Sequence, residues 1–544
     1  HLMNMVFLFF IAKIIGGYLG LSVKQGLAVA SVATLWWGIH PLHMSSVLYV
    51  IQRMNLLSHF FMLATVLAYL NMRNWMIGRE SFFAFMLLGA TVLIGIIFAV
   101  LSKENGVLIP AFLLAIEFSF FSHHTNRRQV VYWRLVRWVI LAMPLLFLVG
   151  YLIWNWQSMM DAYAHRDFTM SERVLTQSRV LWMYVQSILF PISGQYGVVH
   201  DNVAISFSLF NPVSTFFSVL SWIAVISLAV VLVVVQKRYV VFSFAVFFFL
   251  AGHVLESTVI PLELYFEHRN YLASFGLIYA LCWFLLLESK ALSSLLNGLK
   301  KGLLVCLIAI FSLVSVDVAR LWANPTEQAF AWVMQSPDSL RANQYLFAVV
   351  SKDGQRELAN KLNEKMMLNW PEAGLSYLCN APDSSLDSDS SAQTQLMEKI
   401  ASAKITRWEI RELKGFIIKE NGQGGCQGLP ESTILALFDA LTESLSKKTA
   451  GTNENELYEL VGRYYFAEGR YHEAIKAWQQ YYHQKPSAMI AYFMAYSFHK
   501  VGDRGKASST LRVAKEQLKN DVAGYDRKMR KLENLEALLK GPAL

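Results

Sequence analysis

Charged residues are scarce in this 544-residue chain: Asp, Glu, Lys and Arg make up 16% of it, against 55% hydrophobic residues and a mean hydropathy of +0.37. A soluble globular domain carries roughly 25% charged residues, so much of this chain is not built for water. The deficit lies before residue 320; beyond it the chain turns polar and charge-rich. Cysteine is scarce too, with four residues. Cys282 and Cys306 fall in apolar runs, where a small buried hydrophobe is the default. Cys379 and Cys426 fall in the polar part, where a disulfide between them and two free thiols both remain open. No basic patch interleaved with aromatics occurs in the polar part, so the net charge of +9 does not point to nucleic acid. No basic segment precedes the first apolar run, which argues against a signal peptide.

Long apolar runs are what the chain has in abundance. About 20 mostly apolar residues cross the hydrocarbon core of a bilayer. Runs of that kind predict about ten spans, near 3–20, 25–39, 54–71, 81–101, 106–121, 134–154, 214–236, 239–255, 271–288 and 301–319. The stretch 174–190 is apolar but broken by Arg179 and Gln186, and is expected at the membrane interface or in a loop. Basic residues choose the orientation, because cytoplasmic loops collect Lys and Arg. One set of loops holds Lys24, Arg73, Arg79, Arg127, Arg128, Arg134, Arg137, Lys237, Arg238, Lys290, Lys300 and Lys301; the short opposite loops hold only Arg53, Lys103 and Arg269. The first set is therefore expected in the cytoplasm. With about ten spans, His1 and the C-terminal part are expected outside, in the periplasm if the cell is Gram-negative. A chain that starts outside without a signal peptide is expected to follow one earlier helix and its external loop. Lys13, midway along the first span, reads as a lysine that snorkels or faces the bundle.

The polar part divides in two. Residues 451–544 carry tetratricopeptide-like spacing in Gly462, Tyr465, Gly469, Ala474, Trp478 and Pro486. Gly469 recurs as Gly502, Ala474 as Ala507 and Trp478 as Leu511, 33 residues on, close to the usual period of about 34. Residues 321–450 read as a degenerate helical-repeat region, with Arg356 to Trp370 like a second repeat helix. The Ser- and Asp-rich 381–392 and the Gly-rich 420–428 read as loops. The expected fold class is all-α, a polytopic helix bundle followed by helical repeats, and such repeats present a groove to a protein partner.

Ionisable residues gather at the predicted external span ends. They are His40, His43, Arg53, the Lys103-Glu104 pair, and Glu267, His268 and Arg269 before Tyr271. Charges at the membrane are costly and tend to be paired or functional. The H-x-x-H spacing of His40 and His43 lacks further ligands, so hydrogen-bonded histidines at a helix break are expected rather than a metal, and no cofactor is expected. Arg53, Lys103 and Arg269 with nearby carboxylates suit a phosphate-bearing ligand, at this depth a lipid phosphate.

The strings His40-Pro-Leu-His-Met-Ser-Ser-Val-Leu-Tyr-Val-Ile-Gln-Arg-Met, Ser102-Lys-Glu-Asn-Gly and Phe266-Glu-His-Arg-Asn-Tyr-Leu-Ala-Ser, in this order and followed by repeats, resemble bacterial relatives of the transmembrane and tetratricopeptide-repeat O-mannosyltransferases. Thr176-Gln-Ser-Arg-Val-Leu-Trp and the region of His200-Asp201 are similar to the family's long external loop. The resemblance covers nearly all of residues 1–320 and implies a GT-C glycosyltransferase, which passes a sugar from a polyprenyl-phosphate carrier to an external acceptor. It implies donor-site roles for His40, His43, Arg53, Lys103, His268, Arg269 and Tyr271, and supporting roles for Glu104 and Glu267. The family's acidic catalytic motif lies in the first external loop, expected upstream of His1, so no catalytic base is assigned. The expected partners are the lipid-linked sugar, an acceptor protein held by the repeats, and membrane lipid. Two other classes compete: a non-enzymatic membrane scaffold whose repeats recruit partners and, ranked last, a transporter of the lipid-linked sugar, which would want charges deep in several spans.

Overall fold

Helices begin where short polar residues can satisfy the first free backbone N–H groups. Ser22 and Gln25 form a capping box at the start of Val23–Gly38, Ser81 caps Phe82–Ser102, Ser293 caps Ser294–Ala323, and Asn324 caps Pro325–Gln335 with proline in its first turn. The computed structural model describes residues 1–76, 81–121, 130–163, 166, 168–190, 196–236, 239–289, 292–370, 397–398, 400–402, 410, 431–446, 452–484, 486–518 and 525–540. Among them every regular element is helical and no strand occurs. Cys379, Cys426, the 381–392 and 420–428 segments, and the basic residues Arg79, Arg127, Arg128, Lys237, Arg238 and Lys290 lie outside the described residues.

Two compact units divide the chain, His1–Ala342 and Asn343–Leu544. In the first, seven helices are long and apolar enough to cross a membrane: Val50–Trp75, Phe82–Ser102, Glu104–Phe121, Arg137–Trp154, Ser214–Val234, Glu267–Leu286 and Ser294–Ala323. Each coincides with an expected span. Two more expected spans are shorter apolar helices, Leu2–Tyr18 and Val240–His253, and the remaining one is the 16-residue helix Val23–Gly38. Apolar side chains on the peripheral helices face away from the protein, as with Phe147 and Phe217 at 71% and 61% exposure. Water would penalise that surface, and lipid does not. The central Glu267–Leu286 helix is by contrast largely enclosed, with Tyr271, Phe275 and Tyr279 buried. Lys13 is exposed, on the outside of its helix.

Two differences from the expectations have physical reasons. Of the two placements expected for 174–190, interface or loop, the loop is overturned: the stretch belongs to one helix, Met170–Leu189, started by a capping box between Thr169 and Glu172. Its polar residues do not break it because they bond to neighbouring main chain: Arg179 donates to the Ala204 carbonyl and Gln177 to that of Leu264. The first compact unit also runs past the composition change at 320, because Ser339 and Arg341 both bond the Asp201 carboxylate.

In the second unit, the helices Thr452–Ala467 and Tyr471–Gln484 pack as one pair, and Ala488–Lys500 and Arg504–Leu518 as another. The turn inside each pair places a glycine in the left-handed region, Gly469 at φ +76° and Gly502 at φ +87°, where a side chain would be strained. Ala474 and Ala507 are fully buried at the pair interfaces, and Trp478 and Leu511 fill the layers beside them.

Candidate functional site

The polar end of the bundle is built around residues 254–269, which follow the helix Val240–His253 without regular helix as far as Phe266 and then form the short 3-10 turn Glu267–Arg269 that opens the Glu267–Leu286 helix. A chain without regular structure leaves its carbonyls unpaired, and the Met170–Leu189 helix supplies the donors. Arg173, fully buried, donates to the carbonyls of Glu256, Thr258, Leu262 and Glu263. Gln177 donates to Leu264 at 2.8 Å, and the Tyr184 hydroxyl accepts from the Phe266 N–H at 2.8 Å.

Held this way, the segment buries an ion pair. Arg269 Nε approaches Glu256 Oε2 to 2.9 Å with both side chains under 5% exposed, and the guanidinium also donates to the carbonyls of Glu263 and Leu264. Glu256 Oε1 accepts from Asn105 Nδ2 at 2.6 Å, which ties the segment to the start of the Glu104–Phe121 helix. Lys103, buried beside them, donates to Asn55 Oδ1 at 3.2 Å. An ammonium has three protons, so this contact leaves two for a ligand. Burial lowers the Lys103 pKa, while Glu256 and Glu104 oppose that shift.

The other expected site residues fall around this core. Asn55 donates to the His268 carbonyl, and Gln52 Nε2 lies 3.3 Å from His268 Nδ1. The Tyr271 hydroxyl meets His1 Nδ1 at 2.7 Å and accepts from Asn4 at 3.1 Å. His40 accepts from the Leu42 N–H, so its other ring nitrogen carries the proton and donates to the Ile188 carbonyl at 3.0 Å. It is a hydrogen-bonded histidine at a helix break, and burial holds its pKa down at about 4. His43, buried among the rings of His1, Trp37, His40 and Tyr271, has no hydrogen bond at either ring nitrogen among the described residues. Among the described residues no group of three or more His, Cys, Asp or Glu is placed to hold a metal. Arg53 stands apart at the exposed first turn of its helix.

Two cavities adjoin the core. One, of about 780 Å³, runs between the Phe82–Ser102 and Val130–Trp154 helices, lined by Val92, Leu93, Ile96, Met143, Phe147 and other apolar side chains, with Glu104 the single charged group on its wall. The second, of about 240 Å³, is lined by Gln186, Ser187, His200, Asn202, Tyr265 and Gln335 among others. Glu267, 2% exposed, stands behind it: its Oε1 accepts from the Gly197 N–H at 2.7 Å and lies 3.3 Å from His200 Nε2. Next to His200, Asp201 binds Arg341 and Ser339. Burial raises the Asp201 pKa, but those two hydrogen bonds outweigh it and hold the carboxyl below the ordinary range.

The sequence thus brings His40, His43, Lys103, Glu267, His268, Arg269 and Tyr271 to one end of the bundle, while Arg53 and Glu104 are exposed at its edge. Sequence reasoning missed Arg173, Glu256, Asn55 and the pairing of His200 with Glu267. Glu256 carried a usable signal, as a lone acid close behind the apolar run 240–252. Arg173 carried none, because its partners are carbonyls more than 80 residues away. Comparison with family models, with curated proteins and with solved structures finds no match to this chain.

Proposed function

We propose that this chain is a GT-C glycosyltransferase of the membrane that moves a sugar from a polyprenyl-phosphate carrier to a Ser or Thr hydroxyl of a protein, on the external face of a bacterial inner membrane. One juxtaposition carries the reading. An apolar groove of about 780 Å³ has Glu104 on its wall, between Lys103 and Asn105 in the sequence, and Asn105 bonds Glu256, the partner of Arg269. The groove suits a prenyl chain, and the cations beside its mouth suit the phosphate that the chain carries. Lys103 would hold that phosphate and stabilise it as it departs with its electron pair. Arg269, already engaged by Glu256 and two carbonyls, fixes the segment and adds positive field. The paired helices of Thr452–Ala467 through Arg504–Leu518, read as tetratricopeptide repeats, would hold the acceptor protein outside the membrane.

The test is glycoproteomics of the cell envelope in a strain lacking the gene, complemented with the full-length protein. The proposal expects sugar-bearing Ser or Thr peptides to vanish on deletion, to return with the parent, and to stay absent with Lys103→Met. An unchanged set of glycopeptides on deletion overturns it. Full complementation by Lys103→Met, with loss on truncation after residue 342, favours a scaffold instead.

A further inference from the structure

We propose that the end of the bundle opposite Lys103 holds the headgroup of an anionic phospholipid, with Arg137 on its phosphate and Trp138 against the start of its acyl chains. The site is independent of the transferase reading. The Glu104–Phe121 helix begins beside Lys103 and runs to Phe121, and a cavity of about 150 Å³ lies at that far end. Glu117 and Arg137 line it together with the apolar Leu114, Phe121, Trp138 and Leu141, so the wall is contributed by this helix and by Arg137–Trp154.

Charge selects the ligand. Glu117 is already matched, because Arg73 Nε and the Tyr69 hydroxyl each donate to its Oε1 at 2.9 Å. The Arg73–Glu117 pair is neutral in sum, so Arg137 sets the sign of the cavity. A guanidinium carries five N–H donors in a fork that fits two phosphate oxygens. The sequence reinforces that sign: between Glu117 and Asp161 it carries Arg127, Arg128, Arg134 and Arg137 and no acidic residue. Basic clusters beside a span attract anionic headgroups, and basic pockets between spans hold them. The general preference of cytoplasmic loops for Lys and Arg accounts for the arginines, but not for a cavity that joins one of them to an apolar wall.

Shape selects a lipid over a free anion. At about 150 Å³ the cavity is well below the roughly 300–1,000 Å³ of pockets that enclose whole small molecules. It takes a phosphate and leaves the attached chains outside. The surface waiting there is apolar, for Trp138 is itself 42% exposed, and Val139 and Met143 are exposed further along the same helix. A bound lipid would tie the start of Arg137–Trp154 to the end of Glu104–Phe121, which Arg73 already ties to Val50–Trp75 through Glu117 and the Phe121 ring. Its effect falls on the stability of this end.

Full-length protein, purified and stripped of lipid in neutral detergent, would be titrated with short-chain phosphatidylglycerol, short-chain phosphatidylcholine or inorganic phosphate. Native mass spectrometry reads binding, and thermal melting reads stability. Phosphatidylglycerol should bind and raise the melting temperature, as any ligand of the native state does. Phosphatidylcholine, whose phosphate carries its own cation, and inorganic phosphate should do neither at the same concentration. Arg137→Gln should weaken phosphatidylglycerol binding about fivefold or more, and Arg137→Lys, which keeps the charge but not the fork, by less. Lys103→Met, at the other end, and Lys24→Gln, an exposed cation of the same set of basic loops, should bind like the parent. Equal binding of phosphatidylcholine, parental binding by both Arg137 variants, or an equal loss in Lys24→Gln or Lys103→Met overturns the proposal. Binding of inorganic phosphate as tight as that of the lipid also overturns it, since an anion site would then need no lipid.

Discussion

The bundle has two polar ends, and they are built differently. At one, Arg269 and Glu256 are embedded in a net that includes Asn105, Arg173, Tyr184 and the carbonyls of residues 256–264. At the other, Arg73 pairs with Glu117 at 2.9 Å, Tyr69 donates to the same carboxylate, and the guanidinium lies 4.4 Å from the centre of the Phe121 ring. Both ends bury an Arg–Glu pair, so a buried pair alone marks neither as a site. What separates them is surplus. Among the described residues the first end has Lys103 with one of its three protons bonded, and it adjoins an apolar and a polar cavity. At the second, a cavity of about 150 Å³ lies beside Glu117 and Arg137.

The sharpest way to break the comparison is to remove the element only one end has. Arg173→Met takes the side-chain donor from the Glu256, Thr258 and Leu262 carbonyls, while Glu263 keeps Arg269; a buried acceptor left unpaired costs about 1–3 kcal/mol. It should abolish both folding yield and glycopeptide formation, read by recovery of monomer in detergent and by envelope mass spectrometry. A folded, active Arg173→Met protein would show that the 254–269 segment holds itself. Arg73→Ala is its counterpart at the opposite end. It leaves the half-buried Glu117 with the Tyr69 hydroxyl but without its guanidinium and should cost about 3 kcal/mol, the low end for a broken buried pair, seen as a lower melting temperature, yet transfer per folded molecule should stay at the parental level. Loss of transfer per folded molecule would make the second end part of the site.

A smaller effect is expected in the repeat unit. The Cβ of Gly462→Ala would run into the Trp478 indole, which is fully buried. Overpacking of this kind costs about 1–3 kcal/mol. Thermal unfolding should show the loss, with membrane-unit variants unaffected by it; a Gly462→Ala protein as stable as the parent would mean the two helices can separate without cost.

How much of this was legible beforehand depends on what each residue binds. All ten apolar runs coincide with helices because hydropathy acts along the chain, residue by residue, and Gly469 and Gly502 marked their turns because only glycine accepts that backbone cheaply. The short strings around His40, Lys103 and Glu267 marked one end of the bundle, since ionisable residues there are costly enough to stand out against apolar runs. Partnerships were not legible. His40 spends both ring nitrogens on nearby carbonyl and amide groups, Arg53 of the same string faces outward, and Arg173 organises the site from a helix that reads as a broken amphipathic stretch. Main-chain carbonyls have no residue code, so a side chain that binds them leaves no pattern.

The smallest expected effect tests the edge of the cavity lined by His200. Asp201, neighbour of His200, has its carboxyl held below its ordinary pKa of about 3.9 by Arg341 and Ser339. A carboxyl depressed on folding adds stability that is present above the unfolded pKa and is lost as pH falls through the folded one. Arg341 is 45% exposed at its side chain, so solvent screening keeps the contribution to about 1 kcal/mol or less. Asp201→Asn should therefore unfold slightly more easily than the parent at pH 7, and the two proteins should converge as pH drops below about 4. A difference that persists unchanged into acid would assign the effect to the shape of the amide and not to the charge. It would then be Ser339, whose hydroxyl both carboxylate and amide can bind, that anchors the loop carrying His200.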